Sequence, residues 1–302
     1  MDSYPKAHPL DFELLRKDVD SLIRSLIHKV DREFPKQLSH LSGLKEYLMV
    51  CLLWAENTYR AIRYIAAETP PDINRRWSYM LCIPPLNRTI LDAIFNLVYL
   101  FEDVETRFSW FKKAGWREQF EDRDRYISEY SRFSEWGEYL EALEKSLADA
   151  TSLCGITREE RTSPRSIDKW PNPGGMPTFR VKQGQTSPAL EFLQYLNDWF
   201  YREASQVSHL SFFGFHRIGA VVLKEMLPEH LKEEMDAEGA ERLRSINVGR
   251  TLTLMLALCS EVEGHFHFEL GERLKYVWVL LGNHVPETKE IYDKRYAGLL
   301  TP

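Results

Sequence analysis

The sequence predicts an all-α protein with one core and roughly seven to nine helices. Several long segments carry apolar residues three and four positions apart, which is the spacing of one helix face. Proline or glycine separates many of these segments, as is typical of helix ends. The chain has 302 residues, of which 44% are hydrophobic and 13% aromatic. This composition can fill one large core, so we treat residues 1–302 as a single domain.

Two N-terminal helices are expected at residues 10–34 and 42–68. The first has a single apolar stripe and ends before Pro35. The second is apolar over most of its surface, so it should lie near the centre of the core. Glu56 and Asn57 interrupt it. They form a satisfied or solvent-facing polar pair, or else Glu56 adds a carboxylate to a polar cleft.

A third helix is expected at residues 86–101, and Pro84 and Pro85 either begin it or kink it. Arg88 and Asp92 lie one turn apart on its polar side, so they can form an ion pair without help from another element. The pair either stabilises the helix or belongs to a functional site.

Residues 101–149 are helical in pattern and highly charged. From residue 117 to residue 149 there are ten acidic and five basic side chains, a net charge of −5. The segment is interpreted as one or two solvated helices that project from the core. The alternative is a surface that mimics or binds a partner.

Residues 155–187 form a long loop rich in Pro and Gly. Residues 151–187 contain six basic and three acidic side chains, a net charge of +3, and Trp170 and Phe179 lie among them in sequence. Basic and aromatic side chains together are suited to single-stranded RNA. We expect this loop to be exposed, mobile and part of no core, either as a connector or as an RNA contact.

The next helix is expected from Ser187, a good N-cap, through Pro188 in its first turn, to Gly214. It ends in the apolar letters SHLSFFG, so most of its surface should be buried. Its polar stripe should therefore face a cleft or a partner. At helical spacing, that stripe consists of Asp198, Arg202, Ser205, Gln206 and His209.

The C-terminal part predicts further helices. A short charged helix starts near Pro228, residues 245–264 form a buried helix, residues 274–281 pack on the core, and residues 292–302 form a tail. His265 and His267 are two positions apart and could meet only on a strand, without a third ligand in view, so we expect no zinc site.

Arg202 and His209, with six residues between them late in the chain, resemble the R-x4-6-H signature of the HEPN superfamily. The letters YREASQVSHLS are also similar to a Tyr-Arg…Ser…His phrase of an uncharacterised bacterial HEPN-like family. That family carries an Arg-x3-acid pair on an earlier helix, which Arg88 and Asp92 would match here. The resemblance implies an all-helical HEPN-like bundle with extra helices at both ends.

The resemblance also implies a function, namely metal-independent RNA cleavage in a bacterial defence or toxin–antitoxin system. His209 would act as general acid or base, Arg202 would stabilise the phosphorane, and Asp92 would orient one of them. We expect the three side chains to converge in space, with no cofactor. The resemblance also implies a homodimer in which the two His209 side chains lie near each other. Further substrate contacts are expected from Arg88, Ser205, Gln206, Lys169, Arg180 and Lys182.

A second interpretation stays open, in which the protein is a non-enzymatic sensor or partner-binding module. The same Arg, Asp and His side chains would then form a buried network that fixes helix register. In either case any RNA contact must be local, because the net charge is −6 and the pI about 5.9. No phosphate-loop, dinucleotide, HExxH or nucleophile-elbow motif occurs.

The cellular setting is expected to be the cytoplasm. The four cysteines show no C-x2-C spacing, and Cys51, Cys82 and Cys259 lie in apolar helical sequence, so we expect buried thiols in a reducing compartment. The N-terminus lacks a signal-peptide core, and no apolar run reaches about 18 residues. We therefore expect no membrane association.

Overall fold

The computed structural model describes residues 12–67, 73–176, 187–208 and 237–300, and these are almost entirely helical without any strand. The all-α prediction is confirmed. No described helix combines the length and the apolar character needed to cross a membrane. The first five helices are α1 (Phe12–Glu33), α2 (Leu44–Ala67), α3 (Ile73–Phe101), α4 (Val104–Tyr130) and α5 (Gly137–Leu153).

Further helices follow, and two π turns interrupt the series. The first π turn lies at Asn197–Tyr201 and the second at Tyr292–Tyr296. The remaining helices are α6 (Arg158–Thr162), α7 (Pro188–Leu196), α8 (Arg202–Ser208), α9 (Ala237–Phe266), α10 (Gly271–Gly282), α11 (Pro286–Ile291) and α12 (Ala297–Leu299).

The core is built around the pair α3 and α9, which share the most extensive contact of any two helices in the described chain. Helices α1 and α2 cover one side of this pair, and α7 and α8 lie against α3. One contiguous apolar cluster runs through these elements, as expected for a single core. Five residues that share one side of the late helix at helical spacing are all buried in this cluster or beside it: Leu193, Leu196, Phe200, Ala204 and Val207.

Pro84 and Pro85 lie inside α3, which begins at Ile73 rather than at residue 86. A proline at position 84 cannot donate a backbone hydrogen bond to the carbonyl of Met80, four residues earlier. The Nδ2 amide of Asn247, on α9, donates to that carbonyl over 3.0 Å instead. A side chain distant in sequence therefore satisfies the acceptor that Pro84 leaves open, and the helix continues.

Helices α4 and α5 form an antiparallel hairpin at the edge of the main core. Near its base the hairpin has a small apolar cluster of its own, formed by Trp116, Leu147 and Ile167. Most other side chains of α5 are exposed. This agrees with the predicted charged helices beside the core.

The expectation that residues 155–187 belong to no core is wrong for residues 155–176. Thr157 and Glu160 form a capping box at the start of α6. Ile167 and Met176 are buried, and Trp170 packs edge-on against Tyr99 at 5.2 Å. These apolar side chains anchor a Pro- and Gly-rich segment that local pattern alone describes as a loop. Residues 177–186 lie outside the described chain.

The predicted start of the late helix is confirmed. Ser187 Oγ accepts a hydrogen bond from the backbone amide of Leu190 over 3.2 Å, and Pro188 occupies the first turn. The described helix extends to Ser208, so its predicted end at Gly214 lies outside the described residues. The C-terminal tail, in contrast, is packed, because Tyr296 is fully buried.

The cysteines only partly match the expectation of buried thiols. Cys259 is buried, and burial raises its pKa to about 12. Cys51 is half-buried, with a pKa of about 11 for the same reason. Cys82 is exposed, so its prediction is wrong. Its apolar neighbour Ile83 lies about 100° further around the helix, and the Ile83 side chain is the one that packs into the core.

Candidate functional site

Arg88, Asp92 and Tyr201 form a polar cluster where α3 meets the first π turn. The Tyr201 hydroxyl donates a hydrogen bond to Asp92 Oδ1 over 3.0 Å. Arg88 Nε lies 3.9 Å from Asp92 Oδ2, and the Arg88 guanidinium lies 5.4 Å from the centre of the Tyr201 ring. The predicted Arg88–Asp92 pair is therefore present, and a tyrosine from a second element joins it.

The π turn brings Tyr201 to this position. Its hydrogen bonds span five residues rather than four, so the turn holds one extra residue and rotates the next part of the helix. The amide of Arg202 accordingly donates to the carbonyl of Asn197. Phe200 and Tyr201 are both buried as a result, and the Tyr201 ring packs 5.0 Å from Phe95 of α3. The buried face of this helix therefore includes Tyr201, which a regular α-helical spacing would not place there.

Burial shapes the electrostatics of Asp92 and Tyr201. Partial removal from water raises the pKa of the Asp92 carboxyl, against the opposing effects of the Tyr201 hydrogen bond and of Arg88. Burial also raises the pKa of Tyr201, and the nearby Asp92 charge adds to this. Tyr201 consequently keeps its proton and acts as the hydrogen-bond donor.

Arg202 follows the π turn but points away from this cluster. Its side chain is 69% exposed, and Nη1 lies 3.7 Å from Asp198 Oδ1, one turn earlier. In the described part of the chain, no hydrogen bond or ion pair joins Arg202 to Asp92. Asp92 instead orients Tyr201, while the Arg202 guanidinium is open to solvent.

The other predicted site residues are distributed around α8 and the hairpin. Ser205 and Gln206 are half-buried on α8. Lys169 Nζ pairs with Glu121 Oε2 of α4 over 2.7 Å. The structure brings Arg88 and Asp92 together, with Arg202 on the adjoining surface. Three further predicted site residues lie outside the described chain, namely His209, Arg180 and Lys182.

Glu203 holds the opposite side of the same helix. Its Oε2 lies 3.4 Å from Arg250 Nη1 on α9, and the Arg250 guanidinium lies 4.5 Å from the centre of the Phe200 ring. Tyr201 thus attaches the helix to α3, and Glu203 attaches it to α9. The two contacts fix the rotation of the residues immediately before and after Arg202.

Residues 170–176, which we call the covering segment, pack against the Tyr201 ring through Gly174. A Cβ atom added to Gly174 would lie 2.9 Å from Tyr201 Cε1, so only glycine fits this approach without a shift. Trp170 Nε1 donates to Asn96 Oδ1 over 2.8 Å, and Asn96 Nδ2 donates to the Asp92 carbonyl over 2.9 Å. The covering segment is therefore tied to α3 beside the site.

Sequence reasoning missed Tyr201 and Gly174. Tyr201 directly precedes Arg202 in the sequence motif on which the resemblance rests. A helical spacing of about 100° per residue, however, places Tyr201 on neither the apolar nor the polar side of the helix. Gly174 belongs to a run of Pro and Gly that local pattern describes as a connector. The one feature of the sequence that could have identified Tyr201 is the Tyr-Arg pair of the motif.

Glu56 does not join this cluster by any contact in the described structure. Its Oε1 accepts a hydrogen bond from Arg60 Nη2, one turn away on α2, over 2.5 Å. His265 packs 4.4 Å from the Phe101 ring, and its pKa falls to about 4, chiefly because it is buried. Among described residues, no group of three or more His, Cys, Asp or Glu side chains is arranged to hold a metal ion.

Comparison with known proteins adds no family. No protein-family model, curated protein or solved structure matches this chain. The HEPN resemblance therefore stays a prediction that rests on Arg88, Asp92, Arg202 and His209.

Proposed function

We propose that the protein is a HEPN-like, metal-independent endoribonuclease in which Arg202 and His209 act on the RNA. The observation that carries this proposal is the π turn directly before Arg202. Tyr201 and Glu203 hold the two flanks of Arg202, yet the Arg202 side chain is 69% exposed. Single π turns inside helices are rare and frequently occur at functional sites.

The proposed reaction uses the RNA's own 2′-hydroxyl as nucleophile. The 2′-oxygen forms a bond to the adjacent phosphorus, the bond to the 5′-oxygen of the next nucleotide breaks, and a cyclic phosphate results. His209 carries out one of the two proton transfers, from the 2′-oxygen or to the leaving 5′-oxygen, and His209 of the second subunit of the proposed homodimer carries out the other, since an imidazole titrates near neutral pH. Arg202 pairs with the phosphoryl oxygens, for which its planar guanidinium is suited.

In this proposal Asp92 and Tyr201 are positioning residues. Their hydrogen bond fixes the rotation of the helix that carries Arg202, without contact with the substrate. The exposed edge of Arg88, together with Ser205 and Gln206, would bind phosphate or sugar. Lys169, Arg180 and Lys182 would extend the contact along the RNA strand.

The proposed setting is a bacterial defence or toxin–antitoxin system in the cytoplasm, with a homodimer as the active species. Expression of the wild-type chain in bacteria should then arrest growth, while His209→Ala should not. Equal growth of the two strains at equal protein levels would count against a toxic ribonuclease.

A non-enzymatic helical module is the second candidate, and one observation favours it. The carboxylate of Asp92 accepts from Tyr201 rather than from Arg202, so the described contacts of Asp92 join helices. In that case Arg202 and His209 would belong to a register-fixing network or to a partner surface, and no RNA would be cleaved.

One variant separates the two candidates. For His209→Ala, we would measure the melting temperature and the cleavage of a mixed RNA pool with EDTA present. A catalytic histidine predicts a loss of about 10²–10⁴-fold in rate with an almost unchanged melt. A network histidine predicts an inert wild type and a loss of about 1–3 kcal/mol in the variant, because a buried partner is left unsatisfied.

A further inference from the structure

An aromatic cluster lies at the far end of the α4–α5 hairpin, and nothing in the fold accounts for it. We call it the tip cluster. None of its members belongs to the main core or to the small core of the hairpin. All are half-buried or exposed, although such large rings are usually covered. The tip cluster consists of Tyr126, Tyr130, Trp136 and Tyr139.

The rings of the tip cluster are ordered against one another. Trp136 stacks on Tyr130 at 4.1 Å with an interplanar angle of 14°. Tyr139 meets Trp136 edge-on at 5.6 Å and Tyr126 edge-on at 5.8 Å. Tyr139 is 48% exposed. These rings therefore form a preassembled aromatic surface at the solvent-facing end of the hairpin.

The hairpin that carries the tip cluster is negatively charged. Residues 117–149 carry a net charge of −5. Three exposed carboxylates adjoin the rings in sequence, and none of them forms an ion pair or hydrogen bond within the described structure. They are Glu129, Glu135 and Glu138.

Two arginines of the hairpin lie over aromatic rings at this end, so these rings already contact guanidinium groups within the chain. The guanidinium of Arg125 lies 5.2 Å from the centre of the Tyr126 ring, and that of Arg132 lies 4.8 Å from the centre of the Phe133 ring. Arg125 is also paired with Asp122, so its charge is neutralised locally. A cation next to an aromatic face with a carboxylate nearby is thus the contact that this surface makes within the chain.

We propose that the tip cluster docks an Arg- or Lys-rich segment of a partner protein. Aromatic faces attract cations, and the surrounding carboxylates supply the complementary charge. RNA could stack on the same rings, but its phosphates would be repelled by the charge of −5. Two copies of the tip would repel each other for the same reason. This surface is independent of Arg202 and His209 and adds a partner site to the proposed ribonuclease.

The test uses fluorescence anisotropy with the full chain and three labelled probes: a peptide of alternating Arg and Gly, its Glu and Gly counterpart, and a single-stranded RNA. Tyr139→Leu removes one aromatic face but keeps an apolar side chain, whereas Tyr139→Phe keeps the ring. The matched control is Tyr276→Leu on α10, since Tyr276 is 62% exposed and lies outside the tip cluster. Each variant is first checked for an unchanged melting temperature.

We expect the Arg peptide to bind and the Glu peptide not to bind. Tyr139→Leu should weaken binding of the Arg peptide by about two- to five-fold, while Tyr139→Phe and Tyr276→Leu should bind as the wild type does. Glu135→Gln combined with Glu138→Gln should weaken binding further, most clearly at low salt. The proposal is overturned if the wild type does not prefer the Arg peptide, if Tyr139→Leu binds like wild type, or if RNA binds through these same rings. If Tyr139→Leu melts early, the two Glu→Gln changes carry the test alone.

Discussion

The Tyr201 hydroxyl donates to the Asp92 carboxylate over 3.0 Å, a contact between residues 109 positions apart. It joins the first π turn to α3 at the point where the chain presents Arg202 to solvent. The contact sets the rotation of this helix, because a change of one residue in register would replace Tyr201 by a neighbour. The geometry around Arg202 therefore depends on Tyr201.

Tyr201→Phe should lower stability modestly. The ring stays against Arg88 and Phe95, so the apolar contacts and the cation–π contact are kept, and only the hydroxyl is lost. A single hydrogen bond is worth about 0.5–1.5 kcal/mol, which corresponds to a decrease of about 1–3 °C in melting temperature for a domain of this size. The control is Tyr276→Phe, whose ring is exposed. An unchanged melt for Tyr201→Phe would show that the bond contributes nothing.

Gly174→Ala should be clearly more disruptive than Gly175→Ala. The added Cβ at position 174 would lie 2.9 Å from Tyr201 Cε1, whereas the one at position 175 meets no atom within 4 Å. Overpacking of this kind costs about 1–3 kcal/mol, and the neighbouring change should be close to neutral. Chemical denaturation of both variants measures the difference. Equal stability would mean that the covering segment does not press on the Tyr201 ring.

The pH dependence of stability should carry a contribution from His265. Its pKa falls to about 4 in the folded protein, chiefly through burial and then through the charges of Arg295 and His267. The folded state thus binds fewer protons than the unfolded state between about pH 4 and pH 6.5. The contribution is complete above about pH 6.5 and is lost as the pH falls towards about 4, by about 3 kcal/mol at most.

His265→Phe isolates this contribution, since it keeps a ring against Phe101 and removes the titration. Asp92 and Glu263 have raised pKa values, mainly through burial, and so act with the opposite sign, with stability decreasing as they ionise. Their effect is common to both proteins and cancels in the comparison. The variant should lose less stability than the wild type between about pH 6.5 and about pH 4.5. Parallel stability curves would contradict the lowered pKa of His265.

Much of the fold follows from sequence because it depends on local signals. The apolar stripes of α1 and α2 and the Ser187 cap are properties of a few consecutive residues. The Arg88–Asp92 pair is likewise local, being one turn apart on one helix. Each could be predicted without knowledge of the neighbouring elements.

The rest depends on partners that are distant in the chain. Helix α3 continues past Pro84 because the side chain of Asn247, on α9, donates a hydrogen bond to the Met80 carbonyl. The Pro- and Gly-rich segment is anchored because Trp170 finds Asn96 and three aromatic rings. The π turn that selects Tyr201 has no local signature, since it is stabilised by contacts with α3 and α9.

The most direct test of the proposed function compares Arg202→Ala with Arg244→Ala in an RNA cleavage assay with EDTA. Both arginines lie on helices, are at least 39% exposed and pair with a carboxylate one turn earlier, so truncation should leave both melting temperatures nearly unchanged. The proposal predicts that Arg202→Ala loses about 10²-fold or more in cleavage rate, as for loss of one transition-state donor, while Arg244→Ala cleaves like wild type. Equal cleavage by the two variants, or no cleavage by the wild type, would contradict it.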